Sequence, residues 1–153
     1  MSNNKKVTAD SFSSAVMNYL QDYKEDIFED VKELADKYSK EAQRELRDIS
    51  PKAKKKVYLK KSLLCDSNFV EPGSYAKSWT LKNGKKATDI YSKIVINKEH
   101  YRLTHLLEFG HALRNGKRFT GIPHIRKTED KYKELFEKEL EQKIRRKTWL
   151  GIN

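Results

Sequence analysis

The residues of this chain best suited to binding a metal ion or to catalysis are His105, Glu108 and His111, which are spaced as H-x-x-E-x-x-H. Zinc proteases place two ligating histidines one helical turn apart with a glutamate beside them, so that both rings reach one ion. Here the histidines lie six residues apart. A helix of about 3.6 residues per turn directs such rings away from each other, and Gly110 interrupts the helix between them. The spacing favours a structural role over a metal site, and only proximity of His124 in space would strengthen the metal interpretation.

Other catalytic signatures are absent from the sequence. There is no G-x-S-x-G nucleophile elbow, no phosphate-binding P-loop and no glycine-rich dinucleotide pattern. No pair of carboxylates stands in an apolar setting that would suit acid–base catalysis. The single cysteine, Cys65, cannot form an internal disulfide and has no activating motif beside it, which fits a plain thiol in a reducing cytoplasm. We therefore expect no enzyme and no cofactor.

Glu108 lies between Leu107 and Phe109, so part of its side chain is expected to be buried. A buried carboxylate normally finds hydrogen-bond donors or a cation, because burying an unpaired charge is costly. We hypothesise that Glu108 accepts hydrogen bonds from nearby backbone amides or from a basic residue of the following loop. Such contacts would fix the turn at Gly110.

Composition and charge predict one small domain with an unusual asymmetry. The chain has 153 residues, 37% hydrophobic and 36% charged, so it can bury only a small core and is expected to complete its burial against partner subunits. No apolar run of about 18 residues predicts a membrane span, and the first residues lack the apolar core of a secretion signal. Residues 1–50 hold 8 basic and 11 acidic groups, net −3, whereas residues 51–153 hold 25 and 11, net +14. This asymmetry suggests two different neighbours, or a head-to-tail contact between copies.

A single long helix is predicted for the first third of the chain. It begins at Asp10, a good N-cap, and ends at Ser50, because a residue before proline is driven out of helical geometry. About forty residues at ~1.5 Å each give a length near ~60 Å. A small domain cannot cover such a helix, which must therefore bend back, break or pack on other chains. Its apolar stripe comprises Phe12, Val16, Tyr19, Leu20, Tyr23, Ile27, Val31, Leu34, Tyr38, Ala42, Leu46 and Ile49.

A lysine-rich segment and a β-hairpin are predicted next. Residues 52–61 contain six lysines, which indicate either a contact with nucleic acid or an acidic partner, or a solvated linker. Asn83-Gly84 predicts a two-residue hairpin turn that pairs Trp79 with Thr88 and Lys77 with Ile90. The face expected to pack on the long helix comprises Tyr75, Trp79, Leu81, Ile90, Ile94 and Ile96.

The C-terminal part is predicted to contain several short elements followed by one longer helix. A short helix from Tyr101 ends near Gly110, residues 111–120 form a flexible basic loop or hairpin tip, and residues 121–125 form a returning edge strand. Thr128 is expected to cap the last helix. The predicted fold class is α+β, with the long N-terminal helix and the C-terminal helix packed on a small antiparallel β-sheet. Residues 1–50 form a helical arm and residues 51–153 an α+β body.

Three short motifs occur in an order that resembles one known family. They are Gly73-Ser74-Tyr75-Ala76-Lys77-Ser78-Trp79, Glu108-Phe109-Gly110 and Pro123-His124-Ile125. In this order, behind a long helix, they resemble the bacteriophage tail-completion (neck) proteins, named after gene product ten of phage Hong Kong ninety-seven. The chain departs from the pattern at His124, where the family more often has Phe, and in a longer and more basic loop over residues 111–120.

The resemblance implies a non-enzymatic virion protein at the head–tail junction, forming a homo-oligomeric ring that we expect to contain six copies. It would assemble in the host cytoplasm and contact head-connector and tail proteins, with no membrane and at most a non-specific contact with phage DNA. Its structural turn would comprise Glu108, Phe109, Gly110 and Pro123. Its expected subunit contacts are Tyr23, Ile27, Val31, Leu34 and Tyr38. The residues expected to face the DNA channel or an adjoining ring are Arg114, Lys117, Arg118, Lys54, Lys55 and Lys56.

Two other functions remain open from the sequence. A soluble basic nucleic-acid-binding module would explain the sequence pI near 9.6 and the lysine run. The acidic helix would repel phosphate, however, and no reading motif or open aromatic stacking face is evident. A toxin or nuclease with a cryptic His/Glu site is the third possibility.

Overall fold

The chain folds into two long helices, two short helices and three two-stranded antiparallel sheets over the part that the computed structural model describes, residues 9–54, 57–58, 69–84 and 90–150. The helices are α1 (Ala9–Ile49), α2 (Ser74–Lys77), α3 (Tyr101–Phe109) and α4 (Ile125–Leu150). The strands are β1 (Val57–Tyr58), β2 (Phe69–Val70), β3 (Trp79–Asn83), β4 (Lys93–Asn97), β5 (His111–Ala112) and β6 (Arg118–Phe119). The predicted α+β class is confirmed. Lys55, Lys56, Cys65 and Thr88 lie outside the described residues.

Helix α1 runs without a break for 41 residues, one residue longer at its start than the predicted cap at Asp10. Its sequence contains neither glycine nor proline, the usual causes of a kink. It ends before Pro51 as predicted, and the Ser50 hydroxyl accepts a 2.8 Å hydrogen bond from the Trp79 indole. The end of α1 is thereby fixed to the sheet.

The C-terminal half of α1 packs antiparallel against α4. Lys131 of α4 pairs with Glu45 at 2.5 Å, whereas Lys143, further along α4, pairs with Asp30 at 3.3 Å. Still further along, Lys147 donates to the Asp26 carbonyl at 3.0 Å. Contacts of this kind near the surface stabilise by only about 0–1 kcal/mol each, but together they favour one relative direction of the helices. Some of the acidic groups of α1 therefore find basic partners inside the same chain, and the suggestion of two different neighbours or a head-to-tail contact stays a prediction.

Two of the expected subunit-contact residues are instead buried by their own chain. Leu34 is 1% exposed and Tyr38 is 8% exposed. The Tyr38 ring lies 6.0 Å from that of Tyr132 and 6.4 Å from that of Phe136, both on α4. Tyr38 therefore packs against α4, and neither Leu34 nor Tyr38 is exposed for a contact with another subunit. The other three expected contact residues, Tyr23, Ile27 and Val31, are half-buried.

The N-terminal part of α1 extends past the region that α4 contacts. Every residue from 11 to 22 is exposed, and we call this stretch the projecting segment. Its large apolar side chains are well exposed, with Phe12 at 64%, Tyr19 at 58%, Leu20 at 53% and Val16 at 41%. The helix runs on without a break, and among the described residues nothing covers this N-terminal part of the apolar stripe.

The predicted register of the hairpin is wrong. Trp79 pairs with Asn97 and Leu81 with Val95, and the Gly84 amide donates to the Ser92 carbonyl at 2.9 Å. Asn83-Gly84 is therefore not a two-residue turn. Because paired residues share a face of a sheet, Val95 lies on the inner face, while Ile94 on the opposite face is 44% exposed. Tyr75, expected on a strand, lies in α2.

The core lies where α1, α2 and the β3–β4 sheet meet. Leu46, Tyr75 and Trp79 are its buried centre, and Val95, Leu103, Leu107 and Ile125 pack against them. The Trp79 carbonyl also accepts hydrogen bonds from Gln43 and Arg47 of α1. The core is small, as the composition predicts, and it leaves much of α1 to α4 or to solvent.

The start of the last helix also differs from the prediction. Residues 121–124 form no strand, and α4 begins at Ile125. Thr128 lies one turn inside the helix, where its hydroxyl donates to the His124 carbonyl at 2.9 Å. It is therefore not the cap. Residues 111–119 do form a hairpin, with His111 paired to Phe119 and Ala112 to Arg118.

Candidate assembly site

Glu108 supplies the cap that α4 lacks locally. Its side chain is 5% exposed, and its carboxylate accepts hydrogen bonds from the amides of His124 and Ile125 at 2.9 Å and of Arg126 at 3.0 Å. The first amides of a helix have no partners within the helix and carry the positive end of its dipole. A carboxylate from α3 therefore joins the end of one helix to the start of another.

The environment of Glu108 keeps its carboxylate ionised. Burial opposes the charged form, but the three backbone hydrogen bonds from His124, Arg126 and Ile125 together outweigh it and lower the pKa of Glu108. The pKa of the neighbouring Tyr75 hydroxyl is raised instead, mainly by burial and to a smaller extent by the negative charge of Glu108. The tyrosine is thus a neutral hydrogen-bond donor beside a fixed negative charge.

His124 is a fully engaged core histidine. Its ring is 2% exposed and lies edge-on to Tyr75 and Trp79, with centroids 5.7 and 6.4 Å away. Nδ1 lies 2.7 Å from the Ile122 carbonyl, which can only accept, so the network assigns the proton to Nδ1. Nε2 then accepts from the Tyr75 hydroxyl at 2.9 Å. Both ring nitrogens serve the fold, which accounts for a histidine at this position.

Two glycines allow the chain entering the β5–β6 hairpin and the chain leaving it to come into close backbone contact. Gly110 has a φ of 76° and a ψ of 175°, and a Cβ there would lie 2.1 Å from the Phe119 carbonyl oxygen. Gly121 also has a φ of 76°, and its Cβ would lie 2.7 Å from the Glu108 carbonyl oxygen. No other residue fits this approach without moving the backbone. The hairpin is therefore fixed at its base by main-chain packing.

The four residues expected to form the structural turn divide into two groups. Glu108 and Gly110 lie at its centre, whereas Phe109 is 69% exposed and Pro123 is also exposed. Gly121 and His124 hold the turn in place of these two. A second glycine eleven residues after the first was the available sequence signal, but nothing local indicates that His124 reaches Tyr75.

The histidine–glutamate motif does not converge on one point. His105 is exposed and His111 stacks on Phe119 with centroids 5.5 Å apart, while Glu108 faces the backbone of α4. Over the described residues no group of histidine, cysteine, aspartate and glutamate side chains is arranged to hold a metal ion. The geometry around Glu108 is that of a structural junction.

The basic residues expected to meet DNA or an adjoining ring lie on exposed surface where they are described. Arg114, Lys117 and Arg118 are exposed on the hairpin, and Lys54 is exposed after α1. The hairpin tip closes through hydrogen bonds between Leu113 and Lys117 at 2.7 Å and between Gly116 and Leu113 at 3.1 Å. These cations therefore protrude on a small, well-formed loop.

The site is thus a structural junction beside a long helix whose N-terminal part is exposed. The family described as "Bacteriophage HK97-gp10, putative tail-component" matches residues 14–110. This range covers more than half of the chain, from the projecting segment to Gly110, and the chain belongs to this family of phage tail components. No curated protein and no solved structure matches it. In the ranges that the structure describes, no helix combines the length and the hydropathy that crossing a bilayer requires.

Proposed function

We propose that this protein is a non-enzymatic structural component of a tailed-phage virion that completes the tail or joins it to the head as a homo-oligomeric ring of six copies. The family match over residues 14–110 is the observation that carries the proposal. The exposed apolar side chains of the projecting segment support it, because soluble monomers seldom leave such a stripe uncovered.

A structural role agrees with how the reactive side chains are used. Glu108, His124 and Tyr75 are the buried groups best suited to proton transfer, yet they bond to backbone amides, to a carbonyl and to each other. Each is at most 5% exposed, and Glu108, which borders a surface groove, has both carboxylate oxygens bound to backbone amides. In this proposal residues 1–50 act as the arm and residues 51–153 as the body. The partners are head-connector and tail proteins, at the head–tail junction of the virion after assembly in the host cytoplasm.

The proposal predicts a discrete assembly in solution or on purified tails. The mass of the purified protein, measured by light scattering over a range of concentrations, should approach six times the 18.0 kDa chain. Negative-stain images of the same sample should show closed rings. If the chain is monomeric alone, adding it to tails that lack it should give a stoichiometric cap. A chain that remains monomeric and does not bind such tails would contradict the proposal.

A nucleic-acid-binding module is the second candidate, supported by the exposed cations Arg114, Lys117, Arg118 and Lys54. If the structural role is correct, duplex DNA should bind weakly, with affinity lost near physiological salt. Replacing Arg114, Lys117 and Arg118 with alanine should lower the slope of log K against log salt concentration by about 3, since each phosphate contact contributes about 0.9. Fluorescence anisotropy across a salt series measures both quantities. Tight binding by the monomer at physiological salt would favour the second candidate.

A further inference from the structure

The apolar stripe of α1 continues past its intramolecular interface. Phe12, Val16, Tyr19 and Tyr23 follow one another at spacings of four, three and four residues. These spacings place them on the same face of the helix as Leu34, which is buried in the folded chain. The stripe is one continuous surface, of which α4 covers the C-terminal part and nothing in the described chain covers the rest. What suits the uncovered part is another apolar surface of the kind that α4 presents.

The composition of the projecting segment points to an apolar partner. Residues 11–21 contain no lysine, arginine, aspartate or glutamate, so a partner must bind this segment through apolar contacts and not through ion pairs. Phe12, Val16, Tyr19 and Leu20 expose on the order of 400 Å² together, from the areas that such side chains bury. A stable interface buries about 800 Å² per partner. A single contact of this size is therefore weak, and a closed ring is favoured because each subunit makes two of them, one through its segment and one through its groove.

A suitable acceptor lies on the body of the same chain. A groove of about 420 Å³ separates α3 from the start of α4. Its apolar residues are Phe109 and Ile125, and its polar lining comprises Thr104, His105, Glu108, Arg126, Glu129 and Asp130. We call it the α3–α4 groove. Phe109 is 69% exposed there, which is unexpected for an aromatic residue beside a buried junction. An amphipathic helix lying in a groove between two helices is a common mode of recognition.

A chain cannot insert its own projecting segment into its own groove. Helices α1 and α4 are antiparallel, so the projecting segment leaves beyond Lys147, near the C-terminal end of α4. The groove lies beside Ile125, at the other end of α4. The two ends are roughly 30 Å apart at ~1.5 Å per residue, and α1 has no kink that would turn it back. An occupant drawn from this sequence must come from a second copy.

We propose that the projecting segment of one copy docks into the α3–α4 groove of the next copy, with Phe12, Val16, Tyr19 and Leu20 packing around Phe109. The contact joins two different surfaces and is therefore heterologous, which is the kind of interface that closes into rings. This inference rests on the proposed oligomer and specifies its contact. The proposed function itself does not depend on which surfaces meet.

Two complementary variants test the contact. Val16→Asp combined with Leu20→Asp places charges on the projecting segment, and Phe109→Arg places a charge in the groove. Both changes affect exposed side chains, so each variant should fold, as circular dichroism can verify. Each variant alone should be monomeric by sedimentation velocity. A mixture of the two should form heterodimers and no larger species, at concentrations higher than the wild type needs to assemble, because only one intact segment and one intact groove meet in each pair. Ile90→Arg, which alters a side chain that is 56% exposed elsewhere, should assemble like the wild type.

The outcomes separate the contact from the proposed function. If either variant still forms rings, the proposed contact between segment and groove is wrong, while the proposed ring is not contradicted. If the segment variant is monomeric but Phe109→Arg assembles normally, the segments pair with each other or dock elsewhere, and the groove is not the acceptor. If the wild type neither assembles nor caps tails, the proposed function fails and the contact fails with it.

Discussion

Replacing Gly110 with alanine is expected to destabilise the protein by roughly 3–5 kcal/mol, far more than the same change at Gly116. Both glycines have positive φ, 76° and 78°, so both substitutions incur the backbone strain of about 1–3 kcal/mol. Only at Gly110 does the new Cβ meet backbone, 2.1 Å from the Phe119 oxygen, whereas nothing lies within 4 Å at Gly116. Relieving the clash requires the base of the hairpin to separate, which adds a cost typical of overpacking, about 1–3 kcal/mol.

The comparison is made by urea unfolding of the two variants and the wild type. Each should be measured at a concentration where one molecular species is present, because self-association shifts apparent stability. The Gly116→Ala variant controls for the loss of a glycine at positive φ where the new Cβ meets no other atom. Equal destabilisation of the two variants would show that the close approach of the backbones around Gly110 contributes nothing.

Replacing Glu108 with glutamine is expected to destabilise the fold by about 2–4 kcal/mol, since hydrogen bonds to a charged group contribute about 1.5–3 kcal/mol and an unpaired buried amide costs about 1–3 kcal/mol. The carboxylate serves His124 and Ile125 with one oxygen and Arg126 with the other. A glutamine side chain keeps only one accepting oxygen, so its NH2 group must face at least one backbone N–H. The matched control is Glu137→Gln, on the exposed surface of α4, which should change stability by less than about 0.5 kcal/mol.

The same substitution should alter the dependence of stability on pH. The pKa of Glu108 is lowered on folding from its ordinary value of 4.5. A carboxyl with a lowered pKa contributes its stability above the unfolded-state pKa and loses it as pH falls through the folded-state pKa. The difference in unfolding free energy between wild type and Glu108→Gln should therefore be full above about pH 5 and shrink below pH 4.5. Urea unfolding between pH 3 and pH 7 measures it. A difference that stays constant across this range would show that the ionised carboxylate is not what holds the start of α4.

The long helix could be predicted from sequence because its pattern repeats over forty residues and ends at a proline. The register of the hairpin could not be predicted, because Ile94, Val95 and Ile96 are consecutive apolar residues. Either the odd-numbered or the even-numbered side chains of this strand could face the core. Pairing of Leu81 with Val95 selects the odd-numbered face. The Asn83-Gly84 pair favours a tight turn by its local backbone preferences, but packing around Trp79 determines the register.

The start of α4 shows the same limit for capping. Threonine is a common N-cap residue, and acidic residues follow Thr128 in the sequence. The local sequence therefore predicts that Thr128 caps α4. The actual acceptor for the first amides is Glu108, 17 residues before Ile125. Similarly, the hydrogen bond between His124 and Tyr75 spans 49 residues. Sequence reasoning identified Glu108 as a buried carboxylate in need of donors, yet only the fold could say which amides supply them.

The way in which the β5–β6 hairpin is anchored has a consequence for how the protein can diversify. Its base is fixed by main-chain contacts around Gly110 and Gly121, while the residues of its tip are exposed and contribute little to the body. Changes in the charge of the exposed side chains at this tip are therefore expected to disturb the body little, as long as Gly116 is kept. For the same reason Asn115 is a natural position for an epitope or a fluorophore that reports where the subunit sits in an intact particle.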